Sequence, residues 1–412
     1  MRNSSIKDFL KKPVSMCIQE KDGYTWFAAS NRNGIYQMSN ETKCVINKYT
    51  FEDEILSECM LYHNMEINGE NIFFAPHSGK QIAVYNINKG EICYLPLKPV
   101  DEKYNKIYND KLKFGNTFQD GSYVYLLGYT YPAIIKIHRE TLEMNYIDSW
   151  VDELIDEISS GDARGYFTMG NVKQGRKILL PIGYMCKILE LDLDTDEIRF
   201  VKLNLSLDGI GGIASENNRI VWMVGRGHIV NKIIKWDIEN DVIKEIDCPL
   251  DEKNCLVPFY APLCYKNRIF LFPVYSNYAY EINAEDESVT IHKIFENIIN
   301  ERDKKRKLPM NTFSPRIIDG KIKFIVNKEG EWYEYNLETG QMESFFVLDN
   351  EDIEVYLYEY AEKIFNEVLK ENIMWEGSYD LIDYMDIICF HDRKEYVTNK
   401  NLTGNIIYSL LS

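Results

Sequence analysis

Three observations predict an all-β chain closed into a seven-bladed β-propeller of four-stranded antiparallel blades, followed by a small helical C-terminal extension. First, one order of elements recurs. Taking the residue two or three places before each copy's polar turn as the mark (Tyr36, Tyr85, Ile135, Leu191, Trp236, Tyr280 and Tyr335), the copies stand 44 to 56 residues apart, the spacing of four-stranded propeller blades rather than of helical or leucine-rich repeats. Second, within each copy a strand apolar on both faces precedes one that alternates, as a stack of sheets demands. Third, after Asn350 the period changes from two to three and four residues, the step of one helix face.

The segment from Arg219 to Ile246 shows the unit most clearly. An apolar strand (220–224) leads to a loop with Gly225, Arg226, Gly227 and His228, a second strand ends at Trp236, a turn follows at Glu239-Asn240-Asp241, and an outer strand closes the copy. The opening strands are expected at 14–18, 59–62, 114–118, 166–170, 209–214, 261–265 and 313–317. Polar pairs such as Asp22-Gly23, Asn68-Gly69, Asp120-Gly121 and Asp319-Gly320 suit the tight hairpins that follow. The second strands, at 25–29, 72–75, 123–127, 178–180, 220–224, 269–272 and 322–326, are the most apolar. Third strands alternate, as in Tyr333-Glu334-Tyr335-Asn336-Leu337, so one face packs and the other meets water. Fourth strands carry more charge, which protects an outer edge from pairing with other chains. Seven such sheets cannot bury their faces singly, and radial stacking around a channel buries all of them.

Over about residues 14–349 this strand order resembles the kelch and WD-type propeller superfamily. A kelch-like double glycine stands at Gly211-Gly212 and a WD dipeptide at Trp236-Asp237. Neither recurs in the other copies, so no functional residue is carried over. The resemblance implies the fold and a habit of binding ligands or partners on one rim.

The chain is thus divided into a propeller, 1–349, and a helical extension, 350–412, packed on it. Ile353, Leu357, Tyr360, Ala361, Ile364 and Val368 mark a first helix, and Ser378 is placed to cap a second. Helical insertions are also expected at 98–113, 150–158 and 292–308, the last with the charge run Arg302-Asp303-Lys304-Lys305-Arg306-Lys307, read as a solvated face.

The 412 residues carry a formal charge of −17 with 45% hydrophobic content. A surface so acidic disfavours nucleic acid and anionic membranes, which need basic surface to release counterions. Nine cysteines, an odd number without a CxxC pair, read as reduced thiols of a cytoplasmic protein. No N-terminal signal pattern and no apolar run near the roughly 18 residues of a membrane span is present.

Enzyme motifs are sparse. The six histidines, His63, His77, His138, His228, His292 and His391, show no HxH or HExxH spacing, so no metal is expected, although His77 and His228 are candidates to meet across the channel. Gly225-Arg226-Gly227 lacks the third glycine and the helix of a dinucleotide site, no P-loop or GxSxG elbow occurs, and the acidic turn 192–197 lacks the glycine and distal glutamate of a calcium loop. No cofactor is expected.

Topology selects a candidate site. In such a blade the loop between strands two and three lies at the same end as the link to the next blade, and these are the long, varied connections on which function tends to sit. That rim collects Arg32 and Asn33, His77 and Ser78, Tyr129 and Tyr131, Tyr184, Arg226 and His228, Tyr275 and Asn277, and Lys328 with Glu329; the links add Asp162, Arg164, Asp208, Tyr260 and Arg316. The ligand-binding set is read as Arg32, His77, Tyr129, Tyr131, Tyr184, Arg226, His228, Tyr275, Asn277 and Arg316, because rings beside guanidinium and imidazole groups offer stacking surfaces and directional donors. Two functions follow. One is a non-catalytic binding protein or scaffold that presents the rim to a peptide, protein or glycan. The other is a glycan hydrolase or lyase using Asp162, Asp208 or Glu329 with a Tyr or His at the channel mouth.

Overall fold

The computed structural model describes residues 11–54, 60–155, 157, 165–183, 185–250, 256–276, 278–293, 295, 312–326 and 330–349. Within them the chain forms seven four-stranded antiparallel sheets, each made of four consecutive strands, at 18–49, 62–95, 114–147, 172–202, 209–247, 263–291 and 312–346. These are blades 1 to 7 of a β-propeller. The expected helices after Asn350, and most of the 292–308 insertion, lie outside the described residues. Of the other insertions, 98–113 contains one 3-10 turn, Glu102–Tyr104, and 150–158 contains a short α-helix, Val151–Ile155.

The second strands explain why seven sheets stay together. In blade 5, Val221 and Met223 pack against blade 4 while Trp222 and Val224 pack against blade 6. Alternate side chains of one strand therefore enter two different cores. Among the described residues there are seven apolar clusters, and each joins one pair of neighbouring blades, including the pair of blades 7 and 1.

Turn chemistry repeats with the blades. The first hairpin of blade 1 places Asp22 at φ 53° and Gly23 at φ 83°, the paired left-handed conformation that matches the twist of adjoining strands. Each hairpin between third and outer strands holds one left-handed residue: Lys43, Gly90, Leu142, Asp196, Asp241, Glu287 and Gly340. An Asn or Asp side chain caps several of them, as where Asp192 Oδ1 accepts from the amides of Asp194 and Thr195. The acidic turn is thereby an ordinary hairpin whose carboxylate holds its own backbone.

The opening strands of blades 1, 2 and 4 start later than expected, at Ile18–Lys21, Tyr62–Asn68 and Val172–Gln174. Val14, Met16, Leu61, Tyr166 and Phe167, which suggested earlier strands, are buried because the links themselves pack into the blade interfaces. The strands proper face the channel and carry polar residues such as Asn64, Glu66 and Asn116.

Those polar residues stitch the inner strands together. Gln19 Nε2 donates to Met65 O at 3.3 Å, Asn64 Nδ2 to Gly115 O at 2.6 Å and Asn116 Nδ2 to Gly170 O at 2.9 Å. Each bond steps from one blade to the next.

Blades 7 and 1 share no strand, so side chains and the segments just before the strand 18–21 and just after the strand 342–346 close the ring. Asp349, just past the outer strand of blade 7, receives Arg32 Nη2 at 2.8 Å, Lys48 Nζ at 2.9 Å and the Tyr36 hydroxyl at 3.0 Å. Its amide donates to Lys11 O at 3.0 Å, and Trp332 Nε1 donates to Pro13 O at 3.4 Å. Near the opposite end of these blades, Glu334 takes Lys321 at 3.0 Å and Lys43 at 2.5 Å, while Lys323 bridges Glu20 and Glu334.

Candidate functional site at the channel mouth

Lys113 organises part of the rim. Although only 6% exposed, its ammonium donates to the carbonyls of Gly79 (3.1 Å) and Asp110, and burial pushes its pKa down. Its backbone ties blade 2 to blade 3, since its amide donates to His77 O while its carbonyl accepts from Tyr129 and Tyr131. Sequence reasoning missed it, because a lysine ending an insertion gives no sign that its charge will be covered by carbonyls.

On this frame Tyr129 and Arg226 meet. The loop of blade 5 sends Arg226 Nη2 to the Tyr129 hydroxyl of blade 3 at 2.9 Å, with the guanidinium carbon 5.8 Å from the ring centroid. The contact passes blade 4, where a Cβ on Gly165 would fall 2.2 Å from Tyr129 Cε2. Only a residue without a side chain lets the ring lie there. Tyr129 also rests against Gly115, which lines the channel, so the pair sits at the channel mouth.

The other rim residues have varied surroundings. Arg32 is fully buried on Asp349, within ring closure. Tyr131 is buried, donates to Lys98 O at 2.8 Å, and burial raises its pKa. His228 is exposed, and its loop is held by Asp208, whose Oδ2 accepts from the amides of His228 (2.5 Å) and Ile229 (3.0 Å). Tyr275 is half-buried near Tyr260. Tyr184, Asn277, Asp162, Arg164, Lys328 and Glu329 lie outside the described residues.

His77 meets His63 on its own blade's inner strand, with Nδ1 atoms 3.3 Å apart and ring centroids at 4.5 Å. Burial lowers His77 to about 4, and burial reinforced by His77 takes His63 well below the usual histidine range. Both rings are neutral at pH 7. Among the described residues no group of three or more His, Cys, Asp or Glu is placed to hold a metal ion.

Arg316, expected in a link, stands within the inner strand of blade 7, Thr312–Ile318, and lines the channel pocket. This cavity of about 450 Å³ is formed by residues of all seven blades or their links, from Met16 and His63 through Asn116, Met169 and Ile213 to Tyr260 and Arg316. Glu66 is its one carboxylate among the described residues. Burial raises the Glu66 pKa, opposed by the Arg316 charge and by the Thr117 hydroxyl, which donates at 2.9 Å. Cys17 behind it is buried, and desolvation raises its thiol pKa although Arg316 acts to lower it, so it is a poor nucleophile at neutral pH.

No protein-family model matches this chain, and no curated protein does. Among solved structures it is similar to the computationally designed Ika8 protein, with a TM-score of 0.51 at 10% identity over 81% of this chain and 87% of that one. A chain in the mitotic checkpoint complex gives 0.52 at 7% identity over 81% and 87%. U3-55K gives 0.50 at 11% identity over 82% and 96%. Identities this low carry the fold and leave the chemistry to the residues. The ring and these neighbours together make the chain a member of the β-propeller class. No described helix is long and apolar enough to cross a membrane.

Proposed function

We propose that this propeller is a non-catalytic binding protein that takes a peptide or protein segment at the channel mouth, with Tyr129 and Arg226 as its anchors. The observation that carries the reading is their contact across three blades. Aromatic and arginine side chains held in fixed geometry are the residues on which recognition energy concentrates, and a rigid ring with glycines beneath spares the partner the cost of ordering them. His228 and Tyr275 flank this surface as adaptable contacts. The neighbour solved within a multi-protein complex supports a protein as the partner class, and a glycan is the alternative ligand for the same rings.

An enzyme reading finds less support. Glycoside hydrolysis uses two carboxyl groups about 5 to 9.5 Å apart, whereas the described channel lining supplies Glu66 and Asp208 is occupied by two backbone amides.

The test is affinity capture from the native host with wild type and a Tyr129→Ala/Arg226→Ala double variant. Loss of the captured partner by a double variant that remains folded, as judged by circular dichroism, is expected. Equal capture by both proteins removes the mouth as the docking surface.

A further inference from the structure

We propose that the channel pocket is a second, separate binding site, and that it takes a small monocarboxylate with an apolar body, held through Arg316. The guanidinium of Arg316 is half-buried in the wall of the 450 Å³ cavity; it lies against the Cys17 thiol and acts on Glu66 at longer range, and among the described residues no carboxylate stands within ion-pair distance and no carbonyl accepts a hydrogen bond from it. In a chain of net charge −17, a sheltered arginine without such an acceptor is the group that an incoming anion would satisfy. Planar carboxylates match its fork of N–H donors.

The backbone beneath it is shaped unusually. The inner strand of blade 7 shifts register between Phe313 and Arg316, and Ser314 inside that bulge has φ 54°. A non-glycine residue in this region is strained, and such strain gathers at functional sites, where bulges re-aim side chains. The Ser314 hydroxyl is buried and lacks a hydrogen-bond partner among the described residues.

Charge and wall composition select the ligand. Glu66 faces the same space and acts on Arg316, so each added negative charge is opposed, a dianionic phosphate more strongly than a single carboxylate. Met16, Met169, Ile213, Pro262, Leu263 and Pro315 supply apolar wall. The inner strand of blade 5 nearly touches the segment leading into that of blade 6, since a Cβ on Gly212 would lie 2.7 Å from Ala261 Cα, which narrows that side of the channel. The volume falls in the range of small-molecule pockets.

The experiment is calorimetric titration of the full chain with butanoate, hexanoate and octanoate, and with hexanamide as the neutral comparator. Saturable binding that tightens with chain length is expected, with hexanamide and the Arg316→Gln variant each at least about tenfold weaker, the loss of a charge-assisted pair. Glu66→Gln is expected to bind more tightly, because it removes the opposing charge. Equal binding of acid and amide overturns the proposal, as does an Arg316→Gln protein with wild-type affinity or a wild type that binds none of the acids. Should Arg316→Gln not fold, as judged by circular dichroism, the comparison of acid with amide and the Glu66→Gln response decide.

Discussion

His63 and His77 place two imidazole nitrogens 3.3 Å apart at the start of an inner strand, and their burial makes folding depend on pH. In the unfolded chain both take up protons near pH 6.5, whereas folded His77 does so only near 4 and His63 is held well below its usual range. Between these values the unfolded state binds more protons, so stability falls as pH is lowered from about 6.5 toward 4, by about 1.4 kcal/mol per pH unit from His77, with His63 acting in the same direction. Carboxylates held low by ion pairs, such as Glu334 at about 2, lose their contribution only below the usual glutamate range, outside this window. Urea midpoints measured at pH 7, 6 and 5 are expected to fall for wild type and to flatten in His63→Gln/His77→Gln; an unchanged slope assigns the effect elsewhere, with His292, also lowered by burial, the next group to test. A second residue-scale prediction concerns Gly165. An alanine there drives into the Tyr129 ring, so Gly165→Ala should weaken partner capture with Tyr129 and Arg226 both intact, read in the same affinity experiment. The rim residues were legible as residue types because loops advertise their Tyr, Arg and His. Their partners were not legible: nothing local to Arg32 announces Asp349, 317 positions away.

At the scale of elements, ring closure carries the clearest consequence. Asp349 pairs with buried Arg32 and Lys48 between the first and last blades, and removing it takes a counter-ion from both cations. Breaking one partner of a buried pair costs about 3 to 5 kcal/mol, so Asp349→Asn is expected to lower the free energy of unfolding by about that amount in urea titration. Lys103→Ala removes an ion pair whose two side chains are half or more exposed, and the same titration should register less than about 1 kcal/mol. The second and third strands of the blades could be read from the sequence because their faces enter cores and their alternation survives. The inner strands of blades 1, 2 and 4 were misplaced by several residues because one face meets a polar channel. Asn64 and Glu66 fall outside the expected strand 59–62, and nothing local to them or to Asn116 announces that the ring sets all three in one channel with Arg316. For the same reason the channel pocket was invisible while the rim was not.

The whole molecule is a closed set of interfaces, each of which needs the next. A repeat array loses stability from any open end, because terminal units expose a face, and a ring escapes this only while its last contact holds. Much of its buried charge resides in the few residues after the outer strand of blade 7: Val347, fully buried in the cluster shared with blade 1, lies beside Asp349, bonded to Arg32, Lys48, Tyr36 and the backbone of Lys11. Where the chain is cut should therefore matter more than how much is removed. A protein stopped after Asn350 keeps every described group of the closure and is expected to unfold in one transition near the urea midpoint of the full chain. One stopped after Phe346, four residues shorter, loses Val347 and Asp349 together and is expected to show a lower midpoint and a separate early loss of fluorescence from Trp332, which packs in that cluster. If both truncations unfold early, the ring draws its closure from residues beyond Asn350; if neither does, the apolar contacts of Phe27, Ile325 and Trp332 suffice to hold blades 7 and 1 together without the buried charges.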